Sequence, residues 1–119
     1  MSTLAGIMEK NLIEVWNQRN ASARMDSIKA LYAQNAVLYE MGEAKIGFEP
    51  INNQVSTLLN SMPGNFEFVL KGPVVINADM GRLYWAVGPK GEAPVQLGMD
   101  IALFEREKIK ALYVFLENH

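Results

Sequence analysis

The sequence predicts a single α+β domain in which helices come first and a sheet follows. Three observations carry that expectation. Apolar residues recur at helical spacing at Leu4, Ile7, Met8, Leu12, Val15 and Trp16, and again at Ile51, Val55, Leu58, Leu59 and Met62. From Asn65 onward the spacing changes to alternation. Residues 82–117 then read as one antiparallel meander: RLYWAV, GPKG, APVQLGMDIALFE, REK and IKALYVFLE. Helices segregated from a largely antiparallel sheet define the class.

Each element follows from local chemistry. Thr3 is placed as the N-cap of the first helix, and Asn17 to Ala21 break it. Ser22 caps a second helix whose apolar face is Met25, Ile28, Leu31 and Tyr32. Ala36 to Glu40 reads as a short strand, followed by a link containing Gly42 and Gly47. A third helix has Pro50 in its first turn and stops at Pro63-Gly64. Phe66, Phe68 and Leu70 alternate with Glu67, Val69 and Lys71, and Gly72-Pro73 bends that strand before Val74-Val75-Ile76. Asp79-Met80-Gly81 turns into the meander. The expected order is α-α-β-α followed by four strands, one domain over residues 1–119. That length suffices for one core and is short for two.

Composition excludes several functions. With 50% hydrophobic and 20% charged residues the chain is globular. The net charge is −2 and the lysines and arginines are scattered, so no nucleic-acid partner is expected. There is no cysteine, which removes disulfides, thiolate catalysis and cysteine metal sites. The one histidine, His119, is the last residue and expected to fray, so neither a Ser-His-Asp relay nor a histidine zinc site is expected within one chain. No metal and no cofactor are expected. Glu9, Lys10, Asn11 and Glu14 interrupt any apolar signal core between Met8 and Trp16, and no run approaches the roughly 18 apolar residues of a membrane span. No membrane partner and a cytoplasmic location are expected, leaving the Asn20-Ala21-Ser22 sequon unused.

Asp100 is the most informative residue. It lies in the middle of a strand among apolar neighbours, where an ionised carboxylate is costly to desolvate. It is therefore expected to face a wet cavity or to titrate abnormally. Along this strand Val95, Leu97, Met99, Ile101 and Leu103 share one face, and Gln96, Gly98, Asp100, Ala102 and Phe104 the other. Both faces are apolar enough to need cover. Helices on one side of a curved sheet would enclose the Asp100 face, with the small Gly98 and Ala102 leaving a cavity. The opposite face, with Leu97, Met99, Ile101, Tyr113 and Phe115, would be sealed by a second subunit. Leu112, Val114 and Leu116 of the last strand are expected toward the cavity.

These elements, and the segments ALYAQNAVLYE, GFEPI, PGNFEF, RLYWAVGP, GMDIALFE and KIKALYVFLE, resemble the nuclear transport factor 2-like superfamily, in particular its SnoaL-like and ketosteroid-isomerase-like branch. The resemblance covers nearly the whole chain. It implies a cone-shaped α+β barrel, with three helices packed in a curved, mainly antiparallel sheet. It also implies a pocket opening at one end and a homodimer formed through the outer sheet face. By the same resemblance Glu40 stands at the proton-shuttle position and Asp100 at that of the oxyanion-binding acid, with Trp85, rather than Tyr84, as a pocket wall. The chain departs from the pattern twice. No tyrosine occupies the first-helix position, which reads LIEVWNQ, and Glu40 is followed by Met41-Gly42 where the family has aspartate then proline.

The implied function is cofactor-free acid–base catalysis, as an isomerase or cyclase, on an apolar carbonyl compound. Asp100 and Glu40 would do the chemistry, with Trp85, Leu83, Gly98, Ala102, Leu112, Val114, Leu116, Trp16 and Tyr32 around the ligand. The alternative is a dimer of the same fold that binds a ligand or a protein without turnover. Epoxide hydrolysis by an Asp-Arg-Asp set finds no support, because Gly98-Met99 precede Asp100.

Overall fold

The computed structural model describes residues 3–117; His119 lies outside them. Helix α1 (Leu4–Lys10) continues without a break into a π-helix (Asn11–Trp16), followed by α2 (Ala21–Leu31). After β1 (Tyr32–Glu40) and β2 (Glu43–Ile46) comes α3 (Phe48–Asn60). The remaining strands are β3 (Phe66–Leu70), β4 (Val75–Asn77), β5 (Met80–Pro89), β6 (Gln96–Glu105) and β7 (Lys108–Glu117). The α+β class and the helix-first order hold.

Local chemistry explains the helices and two departures from expectation. Thr3 Oγ1 accepts the Gly6 N–H at 2.9 Å, a normal N-cap. Past Lys10 the helix widens. An i→i+5 turn brings residues five apart toward one face, so Asn11 and Trp16 are both buried. Helix α2 is capped by Asn20, not by Ser22, because the extended Asn20 backbone lets its Oδ1 accept the Ala23 N–H at 2.9 Å. Its buried residues are Arg24, Ile28 and Leu31, with Met25 only half-buried. Arg24 goes inside because neutral acceptors meet it there. Its Nε donates to Asn52 Oδ1 at 2.5 Å, Nη1 to the Gln18 carbonyl at 2.6 Å and Nη2 to Ser56 Oγ. Burial holds its pKa below the usual value. The guanidinium thus ties α2 to α3.

The sheet is mixed, in the order β2-β1-β7-β6-β5-β3, with β4 beside β5. β1 and β7 run parallel, their register shifting between Tyr32 and Val37; the other pairs are antiparallel. β1 starts at Tyr32 rather than Ala36, and the expected link after it is the hairpin strand β2. Met41 and Gly42, both at positive φ (54° and 79°), form the two-residue turn between Glu40 and Glu43. The strand expected through residue 76 divides into β3 and β4, both paired with β5.

On β6, Gly98, Asp100, Ala102 and Phe104 are buried while Met99, Ile101 and Leu103 are half-exposed, the alternation expected. The helices cover the buried face. At one end of it the packing is solid. Met8 of α1 lies so close that a Cβ on Gly81 would come within 2.4 Å of its sulfur. Leu83, Ala102, Phe104, Ile109 and Leu112 fill the same end at 5% exposure or less.

Candidate functional site

The other end of that face is hollow. A cavity of about 390 Å³ opens there, within the size range of small-molecule sites. Its aromatic wall is a chain of edge-to-face contacts, Trp16 on Phe68 with centroids 6.1 Å apart and Phe68 on Trp85 at 5.2 Å. Leu58 and Met62 of α3 and Val114 and Leu116 of β7 add aliphatic surface. The polar side chains on the cavity are Glu40, Gln54, Gln96 and Asp100.

Sheet register places the two carboxyl groups. Glu40 pairs with Val114, Val114 pairs with Asp100, and Asp100 pairs with Leu83, all on one line across the strands. Glu40 and Asp100 are therefore two strands apart, roughly 10 Å between backbones. The next line joins Trp85, Gly98 and Leu116. From there the Trp85 Nε1–H reaches diagonally to donate to Asp100 Oδ1 at 2.9 Å. Among the described residues Oδ2 has no hydrogen-bond partner and is not sealed, so it opens on the cavity.

Asp100 is 4% exposed. Burial pushes its pKa up to about 7; the Trp85 N–H opposes that shift and the charge of Glu40 adds to it. Glu40 is half-buried at the cavity mouth, where its Oε1 accepts from Gln54 Nε2 at 3.0 Å. Below the cavity the buried Tyr32 hydroxyl donates to Asn11 Oδ1 at 2.6 Å. Burial, and next the charge of Asp100, push that phenol well above its usual pKa. The Trp16 indole nitrogen is sealed from solvent with no acceptor in hydrogen-bond geometry, the one such side-chain atom among the described residues. A smaller cavity of about 150 Å³ adjoins the first at Glu40, Met41 and Gln54 and is lined also by Glu43 and Lys45.

Of the residues expected around a ligand, Asp100, Glu40, Trp85, Trp16, Val114 and Leu116 line the cavity. Tyr32, Leu83, Ala102 and Leu112 face the same way but lie toward the solid end, buried in core. Gly98 leaves no void. A Cβ there would come within 2.0 Å of the Trp85 ring, which fills the space. Val95, expected on the outer face, lines the cavity instead. It precedes β6, in the connection that crosses the mouth, and its N–H bonds the Val87 carbonyl at 2.9 Å. Tyr84 is on the outer face at 36% exposure, with the Arg82 guanidinium 5.2 Å from its ring.

Sequence reasoning missed Gln54, Phe66, Phe68 and Gln96 as cavity residues. The signal for Phe66 and Phe68 was their shared parity on a strand; Gln54 left none, since its neighbour Glu40 arrives from another element. Among the described residues no group of three or more His, Cys, Asp or Glu side chains is arranged to hold a metal, and no helix is long and apolar enough to cross a membrane. On the outer face Tyr39 stacks on Tyr113 at 4.6 Å, beside half-exposed Met99 and Ile101 and exposed Phe115.

The sequence matches no protein-family model and no curated protein. Solved structures do match. A candidate isomerase of the SnoaL-like family from Agrobacterium tumefaciens superposes with a TM-score of 0.88 at 19% identity, over 98% of this chain and 100% of that one. The fold is that of SnoaL-like proteins. An NTF2-like protein of unknown function from Exiguobacterium shares the SnoaL-like architecture at TM-score 0.75 and 18% identity, over 95% of this chain and 99% of that one. A candidate ketosteroid isomerase from Kribbella flavida gives 0.74 at 11% identity, over 98% and 78%. At these identities the likeness is one of fold.

Proposed function

We propose that this SnoaL-like chain binds an apolar carbonyl compound in its hollow end and moves a proton on it without a cofactor. One observation carries the reading: a buried carboxyl group, one oxygen open to the cavity, lies at the inner end of an otherwise greasy hollow, with a second carboxyl at the mouth. A buried carboxyl that keeps its proton, with a second carboxyl on the same cavity, suits an acid paired with a base. Asp100, protonated up to about pH 7, donates to the carbonyl oxygen and stabilises the charge that builds there. Glu40 takes and returns the proton on carbon. Trp85, Trp16, Val114 and Leu116 hold the apolar body. The SnoaL-like and ketosteroid-isomerase-like neighbours support this reaction class.

The test uses 2-tetralone, a bicyclic ketone with exchangeable α-protons, in deuterated buffer. The protein is expected to accelerate deuterium uptake, with the acceleration lost in Asp100→Asn and in Glu40→Gln. Binding without any exchange would leave a ligand carrier. The same reading assigns the outer face around Leu97, Met99, Ile101, Tyr113 and Phe115 to a homodimer, supported by its continuous apolar and aromatic surface. Sedimentation of the wild type should give a dimer, and Met99→Glu a monomer.

A further inference from the structure

We infer that Trp85 is a positioning residue that assigns the acidic proton of Asp100 to the oxygen facing the cavity, and that Gly98 is glycine because it must leave room for the Trp85 ring. A neutral carboxylic acid carries its proton on one oxygen and accepts at the other. The indole Nε1–H can only donate, and it lies 2.9 Å from Oδ1. A proton on Oδ1 would set two donors against each other in a buried site. The proton therefore sits on Oδ2, which no other described residue engages and which opens on the cavity. Without that constraint the acid would be free to rotate and present its acceptor oxygen to the ligand half the time, and an acceptor repels a carbonyl.

The indole's place depends on the row beside it. Trp85 sits directly across from Gly98, and a Cβ at that position would come 2.0, 2.4 and 2.5 Å from three atoms of the ring. Any side chain there must push the ring away and pull its N–H from Oδ1. Phe68 fixes the ring from the other side by its edge-to-face contact. No cation competes for the acid. The titratable groups facing it are Glu40 and the Tyr32 phenol, both from β1. Its cross-strand partners are Val114 of β7 and Leu83 of β5, and Trp85, Leu58 and Trp16 line the cavity around it. This assignment deepens the acid–base reading and depends on it only for the carbonyl.

The test follows the Asp100 carboxyl carbon by NMR through a pH titration of the full chain. An N–H donor favours the ionised form, so Trp85→Phe, which keeps a ring and loses the N–H, should raise the midpoint by about one pH unit, a tenfold change in acid strength. Gly98→Ala should raise it as well, through displacement of the indole. An unchanged or lowered midpoint in folded Trp85→Phe overturns the proposal, whether or not Gly98→Ala folds. With carbonyl-labelled 2-tetralone bound below the midpoint, the wild type should shift the carbonyl carbon downfield and Trp85→Phe should shift it less. Binding with no such shift in the wild type overturns the assignment of the proton to Oδ2. If 2-tetralone fails to bind, the ketone reading falls while the titration still decides the role of Trp85.

Discussion

The solid end and the hollow end of this domain are built from the same strands and the same sheet face. On β7, Leu112 and Leu116 have the same parity and lie one turn of the pleat on either side of Val114, yet Leu112 is fully buried and Leu116 is 45% exposed. On β6, Ala102 is core and Asp100, two residues earlier, borders a cavity. The difference lies in what approaches from the other side. Helix α1 descends onto Gly81 and closes one end. At the other end Trp16 of the π-helix meets Phe68 of the sheet edge to face, Phe68 meets Trp85 likewise, and a cavity remains beside these rings. A core and a site are thus two outcomes of one alternating pattern, separated by distance along the strand.

The largest test of that contrast is truncation at both ends. Leu112→Ala should destabilise the fold by about 3 kcal/mol, because the solid end cannot collapse around the lost volume. Leu116→Ala should cost under about 1 kcal/mol, as at other partly solvated positions. Equal costs in denaturant unfolding would mean that the two ends are packed alike. Adding volume should separate them too. Gly81→Ala forces Met8 and Ile76 aside, at about 2 kcal/mol.

The acid at the border supplies a pH test of comparable size. The folded state holds the proton of Asp100 up to about pH 7, and the unfolded chain releases it near the ordinary 3.8. The contribution of Asp100 to stability is therefore greatest below pH 3.8. Through the window up to pH 7 it declines by about 1.4 kcal/mol per pH unit, and above that it is flat. Subtracting the unfolding free energies of Asp100→Asn from those of the wild type across pH isolates this slope; a difference that stays flat with pH would place the carboxylate in water.

The smallest effect concerns the turn just beyond the solid end, away from the cavity. Arg106 and Glu107, at φ of 51° and 61°, make the β6–β7 hairpin turn in a conformation that costs ordinary residues energy. Glu107→Gly should stabilise the protein by about 1 kcal/mol without touching the cavity, measurable as a higher unfolding midpoint.

Much of this architecture was legible in the chain. Alternation placed Asp100 on the face opposite Met99, the family resemblance chose Trp85 over Tyr84 for the inside, and Thr3 announced its helix correctly. Short-range signals failed where a distant group intervened. Arg24 reads as a surface residue until Asn52 and Ser56 arrive from α3 to satisfy it. Gly98 reads as empty space until the ring of Trp85 lies over it. Gly42 read only as part of a link, because β2 is too short to show a period of its own.

Periodicity in the amino acids was enough to establish the α+β class, the helix-first arrangement and the two alternating faces of β6 with an acid on one of them, since each depends on neighbours along the chain. Where along that face the core stops and a cavity starts, which oxygen of Asp100 stays open, and that Glu40 comes opposite it depend on strands and helices far apart in sequence. Those features arise only when the sheet has curved around its helices and the register between β1, β7 and β6 is set.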